Sequence, residues 1–167
     1  MQIEVRIEAT DAPAPAVEYR WDADTDILTA TLEAAAPGEG MSGSVDIEGQ
    51  DGSWLIFDVA AGRIASVEVA VWPDVRRLSQ LVPPGDAAPA RVTIPGRRSQ
   101  PGLAAVEVDT QISADSDRAE RIIHFRFGSG RAARSVLLGQ DLVLDIDDRS
   151  RIAGVWLLNV PPFPGDQ

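Results

Sequence analysis

The sequence predicts a mainly β protein that is built from two related halves and contains one short helix. Apolar and polar residues alternate with a period of two in many short segments, and clusters of Gly, Pro, Asp and Ser separate these segments. Only one segment has the spacing of a helix. An antiparallel meander or sandwich, or a set of barrel-like sheets, is the architecture that such a series of short strands favours.

The alternating segments follow one another along the chain. In the first of them, Ile3, Val5 and Ile7 share one face, and charged residues occupy the other. The later segments in the N-terminal half are residues 17–21, 29–33, 44–48, 53–59 and 63–72. Those in the C-terminal half are residues 106–112, 123–127, 135–138, 142–146 and 152–160. In segment 63–72, alternation places Trp72 on the face of Glu68, opposite a row of valines.

The predicted helix covers residues 73–82. Val75, Leu78 and Val82 have helical spacing, and Pro73 suits the first turn of a helix. The pair Pro83-Pro84 would end it, because proline cannot continue a helix.

The domain organisation is predicted from composition and from a weak internal repeat. Residues 1–82 form a first β repeat that ends in the short helix, residues 83–102 a connection rich in Pro and Gly, and residues 103–167 a second β repeat packed on the first. An ungapped comparison of residues 54–73 with residues 142–161 aligns Arg63-Ile64-Ala65 with Arg151-Ile152-Ala153. We therefore expect an internal duplication.

The composition excludes several kinds of chemistry. The chain has no cysteine and no lysine, and His124 is its single histidine. Thiolate metal sites, cysteine nucleophiles, lysine Schiff bases and sites built on histidine pairs are therefore excluded within one chain. A net charge of −11 argues against nucleic-acid binding and favours a basic protein partner. With no apolar run long enough for a membrane and no signal-like start, we expect a cytoplasmic protein without a membrane partner.

Two acidic clusters could bind a metal ion. Asp22, Asp24, Asp26 and Glu33 occupy the acidic positions of a twelve-residue calcium loop, although Ile27 replaces the required glycine. Asp145 and Asp147, with the neighbouring Asp141 and Asp148, form the second cluster. The alternative for both is a hairpin turn whose aspartates bond to nearby backbone N–H groups. We expect no cofactor, with Ca²⁺ as the exception that these clusters leave open.

A few other side chains are candidates for catalysis or binding. His124 is the only candidate general base, and alternation places it beside Arg126 on a strand face. Trp72 and Trp156 could belong to the core or to a partner-binding patch. Arg76 and Arg77 form a basic pair that could hold an anionic group. The alternative for each arginine is a solvated surface charge.

Two stretches of the chain resemble the family called domain of unknown function 2283. Trp21-Asp22-Ala23-Asp24-Thr25-Asp26-Ile27-Leu28 is similar to the opening strand, turn and strand of that family. Residues 144–155 are similar to its closing hairpin, as is Gly62-Arg63-Ile64 in the first half. The resemblance implies small antiparallel sheets and supplies no catalytic residues. Its members resemble antitoxin-like partners of small basic toxins.

Together these features favour an acidic, non-enzymatic interaction module that binds a basic partner in the manner of an antitoxin or immunity protein. The alternative is a small-molecule or catalytic cavity between the two halves that uses His124, carboxylates and arginine. The sequence leaves open whether the protein is an enzyme.

Overall fold

The computed structural model describes residues 3–33, 40–96 and 104–164, and these residues form fourteen strands in two sheets. In chain order the strands are β1 (Arg6–Ala9), β2 (Val17–Asp22), β3 (Ile27–Leu32), β4 (Gly43–Gly49), β5 (Trp54–Ala60), β6 (Arg63–Val71), β7 (Val75–Arg77), β8 (Ala88–Thr93), β9 (Ala104–Thr110), β10 (Ile112–Ser116), β11 (Ile123–Phe127), β12 (Arg134–Gly139), β13 (Leu142–Ile146) and β14 (Ile152–Leu157). The prediction of a mainly β protein is confirmed.

Both sheets are mixed rather than purely antiparallel. The smaller sheet has the order β2-β3-β6-β5-β4-β9, and the larger sheet has the order β1-β8-β12-β13-β14-β11-β10-β7. Most neighbours are antiparallel, but β9 runs parallel to β4, β8 to β12 and β7 to β10. The parallel strands arrive from distant parts of the chain, so a tight hairpin does not dictate their direction.

The two sheets repeat one strand order. The series β2-β3-β6-β5-β4-β9 corresponds to β10-β11-β14-β13-β12-β8, and the sixth strand is parallel to its neighbour in both. A β-bulge also recurs, because the register skips Ala65 between β5 and β6 and skips Ala153 between β13 and β14. Between the equivalent pairs Val59–Ile64 and Ile146–Ile152, the second connection is one residue longer than the first. The ungapped comparison therefore holds for β6 and β14 but is out of step by one residue for β5 and β13.

Strands cross between the two predicted halves. β8 lies within the predicted connection of residues 83–102, yet it joins the larger sheet beside β12. β9 begins the predicted second half, yet it forms an edge of the smaller sheet beside β4. Near the start of the chain, Val5 donates its backbone N–H to the carbonyl of Ser150. Each sheet thus contains backbone from both halves.

One hydrophobic core holds the sheets together as a sandwich. The smaller sheet contributes Leu28, Leu55 and Phe57, and the larger sheet contributes Phe125 and Leu144, all fully buried. Phe57 also meets Phe127 edge to face across the interface, with ring centroids 6.1 Å apart. Burying a side chain of this kind stabilises the fold by about 1.5–3 kcal/mol. The sandwich is therefore the member of the predicted architectures that the structure selects.

The predicted helix over residues 73–82 is wrong. Val75–Arg77 form strand β7, which pairs with β10 at the edge of the larger sheet, and Leu78 donates its N–H to the carbonyl of Ser116. An isolated helix of this length is marginal in water. The free edge of β10 offers the segment backbone partners instead, so tertiary pairing overrides local helical spacing.

Among the residues that the structure describes, there is no helix with the length and apolar character needed to cross a bilayer.

Candidate functional site

An open cleft lies at one end of the sandwich, between the two sheets. It encloses about 650 Å³, and we call it the aromatic cleft. Its lining comes from the β2–β3 hairpin, the end of β6, β7, the β10–β11 turn and the segment after β14. The lining residues are Trp21, Asp26, Trp72, Val75, Arg77, Ser116, Arg118, Ala119, Glu120, Ile123, Pro161, Pro162 and Phe163.

Trp72 reaches this cleft because of a β-bulge. The register between β5 and β6 runs from Leu55–Val69 to Trp54–Val71 and so skips Ala70. One extra residue reverses the alternation that follows it. Val71 therefore points outward with 46% of its surface exposed, whereas Trp72 turns inward and packs 5.8 Å from Phe125. The expectation that Trp72 shares a face with Glu68 is corrected.

The aromatic side chains of the cleft hold one another in place. Trp21 and Trp72 stack with ring centroids 5.7 Å apart and an angle of 18° between their planes. The Trp21 indole N–H donates to the carbonyl of Pro161 at 2.9 Å, and that of Trp72 donates to the carbonyl of Asp26 at 2.7 Å. Both indole donors are therefore occupied, and the rings offer apolar surface whose orientation is already set.

The rim of the cleft carries charge of both signs. Arg77 and Glu120 form an ion pair across it, and both side chains are largely exposed. Arg118 is exposed on the same rim. The acidic turn of residues 22–26 adjoins the Trp21 side, and Asp26 itself lines the cleft. The rim can therefore meet a charged group, while the walls take an apolar one.

A second group of polar side chains, which we call the His124 cluster, lies on the outer face of the larger sheet. Asp145 accepts a hydrogen bond from Ser135 at 2.7 Å on one oxygen. Its other oxygen lies 2.8 Å from Nε2 of His124 and 3.2 Å from the indole nitrogen of Trp156. Asp145 is 5% exposed, so these bonds satisfy a carboxylate that is almost fully withdrawn from water.

Gly154 makes the His124 cluster possible. It lies on β14 opposite both Asp145 and Arg126, in the middle of the sheet. A Cβ at this position would lie 2.4 Å from the carbonyl oxygen of Phe125 and 3.2 Å from Oδ2 of Asp145. The absence of a side chain thus lets the imidazole of His124 reach across β14 to Asp145.

The His124 cluster lacks the relay that nucleophilic catalysis needs. In such a relay, histidine takes a proton from the nucleophile and the carboxylate orients the histidine. Here the hydroxyl of Ser135 and Nε2 of His124 bond to different oxygens of the same carboxylate. Asp145 is therefore the shared hydrogen-bond partner of Ser135 and His124. The arrangement fixes the positions of His124 and Trp156 rather than activating Ser135.

Asp115 occupies the next strand on the same outer face. One of its oxygens accepts a hydrogen bond from Nε of Arg76 at 3.0 Å, and the other forms an ion pair with Arg126 at 3.1 Å. Asp115 is buried, whereas Arg76 is two-thirds exposed and Arg126 is less exposed. Both arginines therefore compensate the buried charge of Asp115.

In the two acidic clusters, Asp22 and Asp147 accept hydrogen bonds from backbone N–H groups of their own turns, whereas Asp145 belongs to the His124 cluster. Asp22 accepts a bond from the backbone N–H of Asp24 at 3.0 Å, and Asp26 adopts a positive φ of 60° in the same turn. Asp147 accepts bonds from the backbone N–H groups of Arg149 and Arg151, both at 2.9 Å. Glu33 lies exposed at the end of β3. Within the ranges 3–33, 40–96 and 104–164, no three His, Asp or Glu side chains are placed to hold a metal ion together.

Burial and hydrogen bonding shift the pKa of two groups in opposite directions. Burial opposes ionisation of Asp147, but the bonds from Arg151 and Arg149 outweigh it and hold the pKa of Asp147 below its ordinary value. Burial raises the pKa of Tyr19, and the nearby charge of Asp141 raises it further, against a hydrogen bond to Leu158. Neither group lines the aromatic cleft.

The predicted catalytic and binding residues other than the metal candidates thus fall into two places. Trp72 and Arg77 line the aromatic cleft. The others, namely His124, Trp156, Arg126 and Arg76, lie with Asp145 on the outer face of the larger sheet. A cleft between the halves does exist, but His124 does not line it. The sequence analysis did not identify Trp21 or Phe163 as binding residues. The signal for Trp21 was its position next to the acidic turn, and the signal for Phe163 was the Pro-Pro-Phe-Pro run.

No model of a known protein family matches the chain, and none of the curated proteins matches it. The resemblance to the domain of unknown function 2283 family therefore stays a prediction.

Proposed function

We propose that this protein is a non-enzymatic interaction module, and that the aromatic cleft binds a segment of a basic partner protein. The observation that carries the proposal is the wall formed by Trp21 and Trp72, whose indole donors are occupied within the chain. What remains for a partner is rigid aromatic surface. Tryptophan surface of this kind is where binding energy concentrates in protein interfaces.

The charge distribution supports a basic partner. The chain carries a net charge of −11, and Asp22, Asp24 and Asp26 are exposed on the turn beside Trp21. Long-range attraction would speed the approach of a basic segment, and the aromatic wall would then slow its release. The charges of Arg77 and Glu120 cancel each other. The three exposed aspartates of the turn outnumber the single positive charge of Arg118, so the net charge beside the cleft is negative.

A pair of exposed valines allows a matched test. Val75 lines the aromatic cleft and is 36% exposed, whereas the similarly exposed Val71 does not line it. The substitutions Val75→Glu and Val71→Glu introduce the same charge at two exposed valines. They differ in whether the added carboxylate enters the cleft.

The experiment is selection of a displayed random-peptide library on the immobilised protein. We expect basic peptides to be enriched, to bind wild type and Val71→Glu alike, and to lose about tenfold or more in affinity for Val75→Glu. An absence of enriched peptides, or equal binding to both variants, would refute the proposal.

A small-molecule site is the second candidate, because a volume of about 650 Å³ lies within the range of known ligand pockets. The aromatic anion 8-anilinonaphthalene-1-sulfonate is a suitable probe. Binding of this dye to wild type and not to Val75→Glu, together with a library that yields no peptide, would favour the second candidate over the first.

A further inference from the structure

The aromatic cleft already contains a segment of its own chain. We call residues Pro161–Pro164 the proline segment. The carbonyl of Pro161 accepts the hydrogen bond from the Trp21 indole, and the ring of Phe163 meets Trp21 edge to face at 5.2 Å. Pro161, Pro162 and Phe163 all line the cleft and lie outside any strand.

The sequence of this segment favours an extended backbone. Proline fixes its own φ near −65°. It also restricts the preceding residue to extended conformations. Val160, Pro161 and Phe163 each precede a proline. The segment therefore loses little conformational freedom when it lies against a surface.

Within the described residues, the backbone next to the proline segment is held in the core at its N-terminal end, by Val160. Val160 is fully buried and donates its backbone N–H to the carbonyl of Arg121. Beyond it, Pro162 and Pro164 are exposed and Phe163 is half-buried. The part that contacts Trp21 could therefore leave the cleft without disturbing Val160.

We propose that the aromatic cleft recognises extended, proline-containing segments with basic flanks, and that the proline segment is a built-in competitor for the same surface. This inference rests on the proposed function and names the partner chemistry of the same site. Proline-rich peptides bind in aromatic-lined grooves. In this cleft an indole N–H donates to a prolyl carbonyl beside two stacked aromatic rings. The exposed acidic turn next to Trp21 supplies the charge that basic flanks would meet.

Competition within one chain has a measurable consequence. A segment tethered beside its own site acts at a high effective concentration, so a peptide added in solution must displace it. Loosening the segment should then strengthen binding of the added peptide. Blocking the cleft should abolish that binding whatever the state of the segment.

The test uses the full chain and the synthetic peptide Arg-Val-Pro-Pro-Phe-Pro-Arg, with tryptophan fluorescence and calorimetry as readouts. Phe163→Ala should bind the peptide about fivefold or more tightly than wild type, because the Trp21 contact of the proline segment is lost. Val75→Glu should not bind it, and Val71→Glu should match wild type. A peptide with its three prolines replaced by alanine should bind at least tenfold more weakly, roughly 1.4 kcal/mol.

Two further measurements keep the test decisive. If Phe163→Ala is unfolded by circular dichroism, Pro162→Gly replaces it, because this exposed position loosens the segment without removing a ring. Raising the salt concentration should weaken binding of the basic peptide, since exposed charges are screened. No gain in affinity in either variant, or equal binding of the alanine peptide, would overturn the inference.

Failure of the inference can be told apart from failure of the proposed function. A random library that yields Val75-dependent peptides without proline would leave the interaction module standing and would refute proline recognition. Concentration-dependent dimers, in which the proline segment of a second copy binds tightly in the cleft, would refute the proposal that the cleft binds a different protein.

Discussion

The imidazole of His124 stacks on the indole of Trp156, with ring centroids 3.8 Å apart and an angle of 9° between the planes. The two residues are direct neighbours on β11 and β14, and both reach Asp145. Stacking and the shared carboxylate together set the position of each ring. The single histidine of the chain thus belongs to the hydrogen-bond network of the buried Asp145.

Replacing His124 with alanine should destabilise the fold rather than remove a reaction. The change leaves one oxygen of Asp145 with fewer partners and uncovers Trp156, which should cost about 1–3 kcal/mol in the free energy of unfolding. Urea unfolding followed by tryptophan fluorescence measures it. Arg121→Ala, at an exposed neighbouring position, is the control. A His124→Ala protein as stable as wild type would contradict this account.

Gly154 and Ser66 occupy equivalent positions in the two sheets but should respond differently to alanine. At Gly154 the added Cβ meets the backbone carbonyl of Phe125, which cannot give way cheaply, so Gly154→Ala should cost about 3 kcal/mol. At Ser66 only the hydrogen bond to Asp58 is lost, which should cost about 1 kcal/mol. Chemical denaturation of both variants tests the difference. Equal losses would show that the close approach at Gly154 is not needed.

Asp147 should contribute stability that disappears in acid. Its folded pKa lies below the ordinary value, so the contribution is fully present above the ordinary carboxyl pKa of about 3.9 and is lost as the pH falls through the lower folded value. Asp147→Asn should therefore be less stable than wild type at neutral pH, and the gap should close in acid. Asp148→Asn, in the same turn but exposed, is the control. A gap that persists unchanged in acid would contradict the prediction.

Tyr19 should make the fold sensitive to alkali. Its hydroxyl lies 2.8 Å from the carbonyl of Leu158 and 2.9 Å from that of Asp141. Because the folded pKa of Tyr19 is raised, the unfolded chain loses this proton first, and stability should fall as the pH rises above about 10. Tyr19→Phe should be less stable at neutral pH but should lose less stability in alkali.

The Tyr19 titration can be followed directly. The chain contains one tyrosine, so the absorbance of phenolate reports this residue alone. Folded protein should resist ionisation, and denatured protein should titrate near the ordinary pKa. Identical titration curves for the two states would contradict the burial of Tyr19.

Alternation alone predicted most strands, because one face of each strand must be apolar to join the core. His124 was correctly placed opposite Ile123 and Phe125 for this reason. β-Bulges limit predictions from alternation, because one extra residue reverses the face on which every following side chain of the strand lies. The bulge at Ala70 directs the side chain of Trp72 into the cleft, and residue spacing alone does not predict this bulge.

The candidate site was predictable only in part. The sequence indicated Trp72 and Arg77 as binding residues, but it did not indicate that Trp21 and Phe163, from the two ends of the chain, would join them. Such contacts arise from the packing of one sheet on the other. No local pattern contains that information.

What the sequence by itself determined is the class of the fold, its acidic character and the chemistry that its composition excludes, because these follow from periodicity and residue types. The tertiary structure decided which edge accepted Val75–Arg77 and which face received Trp72. It also decided that the carboxylate of Asp145 lies within hydrogen-bonding distance of His124. Edge pairing, bulges and buried polar contacts depend on residues far apart in the chain, and they exist only once the two sheets have met.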